Sequence, residues 1–274
     1  MKISGRTVAQ EIRAELRSKI QDLKSKNIVP KIAIITLRSE ASWETYVRQK
    51  LKVAQELGIE AALIYLADAS EQKLLNKIEE INQDASFHGI IVQRPMPASI
   101  NKHAVTNAIS PEKDVDGFGE NSPFEVPVWL AVKRLIEQSL KEMDSNKNWD
   151  ELNFVVLGKG ETAGGPTIKG LKKLGASVQV IDSKTQNPGE IIKTADVVIS
   201  SVGKSGAINT LNIKPGAILI GVGTHTEDSK LLGDYPNEEA EKIAGAYTPT
   251  PGGVGPVNLS YLFWNLVEAA QKSS

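Results

Sequence analysis

The chain has 274 residues, 41% of them apolar, which is enough material for one large or two ordinary domains with real cores. Its 32 basic and 33 acidic side chains nearly cancel, so no field draws it to nucleic acid or a membrane surface, and a small-molecule substrate is the default expectation. Cysteine is absent, which removes disulfides and thiolate chemistry, and His88, His103 and His225 have no metal-ligand spacing, so no metal site is expected.

Val8, Ile12, Leu16, Ile20 and Leu23 recur every three or four residues among charges, which predicts an amphipathic helix over about 7–26 rather than a signal peptide. No apolar run reaches membrane-spanning length, and a cytoplasmic protein is expected. An isoleucine-rich strand at 31–37 follows, then a helix at 42–57 closed by Gly58, a strand at 60–66, a helix at 71–82 and a strand at 89–93 that Pro95 and Pro97 must stop. A short helix leads to 110–117, which has neither helix nor strand period and reads as a loop. A helix at 127–142 and a polar stretch at 144–150, read as a linker, precede a second run. There, strands at 153–157, 177–181, 196–201 and 217–222 alternate with helices at 162–174 and 188–193, and a helix at 256–271 ends the chain. Alternation of this kind predicts parallel sheets covered by helices.

Two clusters carry chemistry. Gly158-Lys159-Gly160-Glu161-Thr162-Ala163 follows a predicted strand and opens a predicted helix, the context of a dinucleotide-binding turn. The first glycine allows the turn, the second admits the pyrophosphate, and a small third residue, Ala163, lets helix and strand pack closely, with Gly164 after it also expected at the cofactor. Asp182, with Ser183 beside it, ends the second strand of this unit, where an acid hydrogen-bonds the ribose 2′-hydroxyl of NAD; Lys159 and Lys184 pull toward the 2′-phosphate of NADP. An ordinary glycine turn is the plain alternative. On the second predicted helix Tyr46 and Lys50 stand one turn apart on one face, a pair that by itself usually means a surface lysine lying along a half-buried tyrosine.

Further motifs follow in order: Val92-Gln93-x-Pro95 after a strand, Pro111-Glu112-Lys113-Asp114-Val115-Asp116-Gly117, and Thr248-Pro249-x-Pro251-Gly252-Gly253-Val254-Gly255-Pro256. Taken singly, Gln93 reads as a strand-end amide, Asp116 as a turn aspartate and the glycines as an interdomain turn. Together with Tyr46-Val47-x-x-Lys50 and Gly5-Arg6-x-Val8-Ala9, they resemble the bifunctional methylenetetrahydrofolate dehydrogenase/cyclohydrolases over nearly the whole chain.

That resemblance implies two α/β domains flanking a cleft, a Rossmann-like C-terminal domain, and a last helix returning to the N-terminal one. The expected division is 1–122 plus 256–274 for the catalytic, folate-binding domain and 123–255 for the dinucleotide-binding domain. It also implies oxidation of 5,10-methylenetetrahydrofolate with NAD or NADP and hydrolysis of the methenyl product to 10-formyltetrahydrofolate, in a homodimer. Lys50 would be the general acid/base, Gln93 would tune it, Tyr46 would stack on or hydrogen-bond the folate, Asp116 would hold the pterin, and Pro251, Gly252 and Gly253 would approach the substrate. Departures from the family pattern are Trp43 for serine, Arg94 for leucine, Trp129 for a small residue, Gly158-Lys159-Gly160 for Gly-Arg-Ser, Asp182 for histidine and Gly221 for aspartate. The Gly158-Lys159-Gly160 and Asp182 changes favour NAD, whereas the family's habit favours NADP. Trp129 is expected to alter cofactor fit or domain closure. A dehydrogenase of the same fold with another substrate, and a silent folate- or dinucleotide-binding protein, are the competing readings.

Overall fold

The computed structural model describes residues 1–37, 41–67 and 70–273, with the side chains of 41–45, Trp43 among them, outside the description. The chain forms two compact units, one of Glu11–Pro127 with Leu259–Ser274 and one of Met1–Gln10 with Val128–Asn258.

Helix α1 (Gly5–Ser25) presents its predicted stripe inward: Val8, Ile12, Leu16, Ile20 and Leu23 are all buried. In the Glu11–Pro127 unit, β1 (Lys31–Thr36), α2 (Ala41–Leu57), β2 (Glu60–Tyr65), α3 (Glu71–Gln83), β3 (Gly89–Val92) and α4 (Lys102–Ala108) follow. The three strands make a parallel sheet in the order β2-β1-β3, with Ile34 facing Leu63 on one side and Ile91 on the other. Parallel strands covered on both faces carry unbroken apolar runs, and β1 and β3 are buried almost throughout, whereas the edge strand β2 leaves Leu63 and Tyr65 exposed.

The other unit contains α5 (Pro127–Glu142) from residue 128 on, β4 (Asn153–Leu157), α6 (Gly164–Lys173), β5 (Ser177–Ile181), α7 (Pro188–Ile192), β6 (Val197–Ser200), β7 (Ile218–Gly221), β8 (Thr224–Glu227), β9 (Lys230–Gly233), α8 (Asn237–Ile243) and β10 (Ala246–Tyr247). Five parallel strands run in the order β10-β7-β6-β4-β5, so the winding direction reverses at β4, between its neighbours β5 and β6. Ligands of such sheets bind beyond the strand C-termini at that reversal. The last helix, α9 (Val254–Lys272), runs from residue 259 on in the unit of β3, where Leu266 lies so close to Gly89 that a Cβ there would stand 2.8 Å from it.

Three expectations change. Residues 1–10, expected with 11–122, belong to the unit of β10, because Ile3 N donates to Tyr247 O at 2.8 Å and Tyr247 N to Met1 O at 3.0 Å, extending the sheet edge. The stretch 144–150 is no linker between the units: Trp149 stacks on Phe154 with centroids 5.6 Å apart and meets Trp129 edge-on, within the β4 unit. The hairpin β8–β9, α8 and β10 went unpredicted. The hairpin turns on Asp228 and Ser229, both with positive φ, and without glycine there the usual turn signal is missing.

Candidate active site

Helix α2 is anchored by buried Val47, Val53, Ala54 and Leu57, and Tyr46 and Lys50 continue that same side of the helix toward its N-terminal end, one turn apart. Tyr46 is 50% exposed, an aromatic face presented outward rather than consumed by the core. β3 stops at Val92, but Gln93 N still donates to Ile35 O at 2.8 Å, so the sheet fixes the backbone from which the amide projects. Gln93 Nε2 donates to Arg94 O at 2.8 Å, and this orients its Oε1 to accept from Lys50 Nζ at 2.7 Å. Lys50 is only partly buried as a residue, yet desolvation around its ammonium lowers its pKa from the usual 10.5, against the pull of Asp116 in the other direction. Burial likewise raises the Asp116 carboxyl, opposed by the Lys50 charge, while Asp114 adds to the rise and Arg94 counters it. The structure therefore brings Lys50, Gln93 and Asp116 into one electrostatic group.

The loop bearing Asp116 is held by its neighbours. Lys113, 8% exposed, sends its ammonium to the carbonyl oxygens of Ile81, Asn82 and Asp84 at 2.8–2.9 Å, closing the C-terminal end of α3. Asp114 is buried and accepts from Gly117 N at 3.2 Å and Gly119 N at 2.7 Å, which curls the chain around position 116. Burial raises the Asp114 pKa, and these hydrogen bonds limit the rise. Behind the loop, Asn265 of α9 donates to Val115 O and Glu125 O, both at 2.9 Å. Arg94 donates to Thr106 Oγ1 at 3.0 Å and lies over the Phe118 ring at 4.5 Å; with Asp114, Asp116 and Met96 these groups line a recess. Lys113, Asp114, Phe118 and Asn265 were not singled out from sequence. Two aspartates two positions apart in a charged loop give no sign of which one is buried, although an asparagine between Trp264 and Leu266 in an apolar helix was a legible signal.

The glycine turn lies in the other unit, between β4 and α6. Gly158 has φ +86°, a conformation suited to glycine, and Gly160 faces open space, with nothing within 4 Å of where a Cβ would point. Close packing falls on Gly164 rather than Ala163: a Cβ at 164 would stand 2.1 Å from Gly158 O and 2.7 Å from Ser201 Oγ. Helix α6 accordingly starts at Gly164, two residues later than predicted, with Ala163 as its N-cap. At the end of β5, Asp182 Oδ2 pairs with Lys159 Nζ at 2.8 Å and Oδ1 accepts from Lys184 N at 2.9 Å; the Lys159 contact leads the lowering of the Asp182 pKa. Ser183 and the Lys184 side chain are exposed beside it. An open glycine turn at the strand-order reversal with an acid at the next strand end fits a dinucleotide.

In the 249–253 loop, Gly252 has φ +101° and its carbonyl accepts from Arg6 N at 3.2 Å. Gly253 is pressed by its own chain: a Cβ there would stand 2.6 Å from Pro249 O, and one at Gly5 would stand 1.8 Å from Gly253 O. Pro251 is half of a Thr250–Pro251 segment tied by Asn237, whose amide both donates to Thr250 O and accepts from Thr250 N. Two departures acquire local reasons. Trp129 is 4% exposed and occupies the space over Gly170, where a Cβ would be 2.1 Å from the indole, so it packs α5 on α6 and is not a cofactor-facing group. Gly221 makes room for the ring of Tyr235, 3.0 Å from where its Cβ would be. Among the described residues no group of three or more His, Asp or Glu side chains is placed to hold a metal ion, and no helix is long and apolar enough to cross a membrane.

Comparison with known proteins bears on both units. The family model described as tetrahydrofolate dehydrogenase/cyclohydrolase, catalytic domain, matches residues 3–116, and its NAD(P)-binding domain counterpart matches residues 132–274. The bifunctional protein FolD of Ligilactobacillus salivarius is 37% identical, over 99% of this chain and 97% of its own length. The solved structure of bifunctional FolD methylenetetrahydrofolate dehydrogenase/cyclohydrolase from Campylobacter jejuni superposes with a TM-score of 0.92 at 31% identity, covering 99% of each chain. That of the Trypanosoma brucei dehydrogenase-cyclohydrolase, complexed with NADP and an inhibitor, gives 0.91 at 31% identity, covering 100% of this chain and 98% of that one.

Proposed function

The chain belongs to the tetrahydrofolate dehydrogenase/cyclohydrolase family, and from that premise we propose that it oxidises 5,10-methylenetetrahydrofolate to the methenyl cation and hydrolyses that cation to 10-formyltetrahydrofolate. The observation that carries this reading is the 2.7 Å hydrogen bond from Lys50 to Gln93, with Asp116 in the same electrostatic group. A lysine must be neutral to accept a proton, and desolvation favours the neutral form. Lys50 Nζ takes the proton of the water that adds to the methenyl carbon and returns one to the ring nitrogen as the carbon–nitrogen bond opens. Gln93 Oε1 aims the amine, Tyr46 offers a ring face to the folate, and Asp116 accepts hydrogen bonds from the amino-pyrimidine edge of the pterin. Pro251, Gly252 and Gly253 give the substrate a backbone-lined approach.

A bound NAD or NADP supplies the hydride acceptor for the first reaction. The residues that would hold it are Gly158, Lys159, Gly160, Ala163 and Gly164 at the pyrophosphate and Asp182, Ser183 and Lys184 at the adenosine ribose. We propose that NAD serves at least as well as NADP, because Lys159 is engaged by Asp182 and a 2′-phosphate has to break that pair while meeting the carboxylate. We also propose a homodimer. Its support is β5, an edge strand with Val180 36% exposed, a form that invites pairing with a second copy.

The test uses the purified full chain, following reduced dinucleotide and methenyl product by absorbance with each cofactor. Reduction of NAD or NADP that depends on methylenetetrahydrofolate is expected, together with hydrolysis of added methenyltetrahydrofolate without dinucleotide. Binding of dinucleotide and folate with neither turnover would leave only a silent binding protein.

A further inference from the structure

Two consecutive buried polar residues after β9 have no part in the chemistry above. Asp234 is wholly buried; its Oδ2 accepts from Ser200 Oγ at 2.6 Å and Val202 N at 3.0 Å, and its Oδ1 from Lys204 N at 2.9 Å. All three donors belong to the end of β6 and the loop that leaves it. In the same loop Ser201 Oγ donates to Leu157 O at 2.9 Å and lies 3.2 Å from Gly158 O, the last residue of β4 and the first of the glycine turn. Gly223 is small for the same reason, since a Cβ there would stand 2.2 Å from Asp234 Oδ2.

Tyr235 is 5% exposed, and its hydroxyl donates to Thr248 O at 2.7 Å. Thr248 Oγ1 in turn accepts from Gly221 N at 2.9 Å, so β7's end, the tyrosine and the start of the 249–253 loop are joined through buried hydrogen bonds. These contacts converge on the loops that leave β4 and β6, the two strands between which the winding direction changes, and on the loop after β10. Buried donors and acceptors that lose a partner are costly, so each loop has one favoured position while the pair is intact.

We propose that Asp234 and Tyr235 are positioning residues for the dinucleotide-dependent step, bracketing the 200–204 loop and the Thr248 strand end against the glycine turn. The inference rests on reading that crevice as the dinucleotide site. Lys50, Gln93 and Asp116 belong to the other unit, so the Asp234 contacts serve dehydrogenation and leave ring opening alone, whereas Tyr235 also holds the start of the 249–253 loop.

The experiment compares full-length wild type with Asp234→Asn, which puts amide hydrogens against a donor set, and Tyr235→Phe, which keeps the ring but removes the hydroxyl. NAD binding is read by calorimetry, dehydrogenation by steady-state kinetics, and methenyl hydrolysis in the absence of dinucleotide. D234N is expected to raise the NAD Kd and KM about tenfold with hydrolysis at wild-type rate, and Y235F to raise them about threefold. If D234N does not yield folded protein, Ser200→Ala, which removes one donor, carries the test with an expected rise of about threefold. A parallel fall of both activities in D234N would reduce the pair to general scaffolding and overturn the proposal, as would unchanged NAD binding and oxidation. Wild type that binds neither NAD nor NADP would sink the dinucleotide reading and this inference with it. Wild type that binds dinucleotide but turns over no folate would sink only the substrate reading, and the calorimetric comparison still decides here.

Discussion

Two glycines six residues or fewer from the start of the same turn give opposite forecasts. At Gly164 an added methyl meets the Gly158 carbonyl oxygen at 2.1 Å, about 1.3 Å short of ordinary contact, and both partners are backbone. Neither side can rotate away, so α6 has to shift or the turn has to open; overpacking of this kind costs roughly 1–3 kcal/mol. For a unit of this size that lowers the melting temperature by about 3–10 °C. Displacing the helix start by about 1 Å also misaligns the amides that would face the pyrophosphate, an error on the order of 100-fold in the dinucleotide-dependent rate. At Gly160 nothing lies within 4 Å of the added methyl, and φ is not in the left-handed region, so Gly160→Ala should melt with wild type. Its methyl instead stands in the space left for the phosphates, and NAD affinity should fall. Differential scanning calorimetry and NAD titration on both variants check the pair. A Gly164→Ala protein with wild-type melting and affinity, or a Gly160→Ala protein that loses stability but not affinity, would refute the division of labour drawn for this turn.

Lys50→Met keeps the aliphatic stem but no proton-carrying atom, and methenyl hydrolysis should fall on the order of 10²–10⁴-fold while NAD binding by calorimetry stays put. The base is the neutral amine, so hydrolysis by the wild type should rise with pH through an ionisation below lysine's ordinary 10.5 and fall away on the acid side; in Asp116→Asn, which lacks the anion favouring the ammonium, the rising limb should move to lower pH. A limb that stays in place would uncouple the two groups. Asp182→Ser releases Lys159 and removes the carboxylate, and the NADP-to-NAD ratio of kcat/KM should rise about tenfold, measured with both cofactors. Lys113→Met takes a donor from three carbonyl oxygens at the end of α3, of which Ile81 O and Asp84 O keep a backbone N–H, and should cost about 1–3 kcal/mol, read as a drop of roughly 3–10 °C in melting temperature with dinucleotide affinity intact.

The elements were legible wherever periodicity was strong. Buried parallel strands such as Ile32 to Ile35 announce themselves as apolar runs, and the stripe of α1 repeats at helical spacing. Tyr46, Lys50, Gln93 and Asp116 were legible too, by motif order; what spacing could not convey is that Gln93 turns its oxygen, not its nitrogen, toward the lysine, because Arg94 O claims the amide hydrogen. The glycine turn was found, but its packing position was assigned to Ala163 rather than to Gly164, since a steric contact with a carbonyl oxygen six residues earlier has no signature in composition.

The sequence by itself determined the strands and helices up to residue 222, the last helix and the glycine turn, because those follow from local periodicity and short-range backbone chemistry, while the candidate acid/base residues came from motif order and family resemblance. Only the tertiary structure decided which unit residues 1–10 join, that Lys113 and Asp114 build the loop around Asp116, and that Asp234 and Tyr235 hold loops tens of residues away. Those choices depend on which buried donor finds which acceptor across long stretches of chain, and pairing between distant residues leaves no pattern along the chain to read.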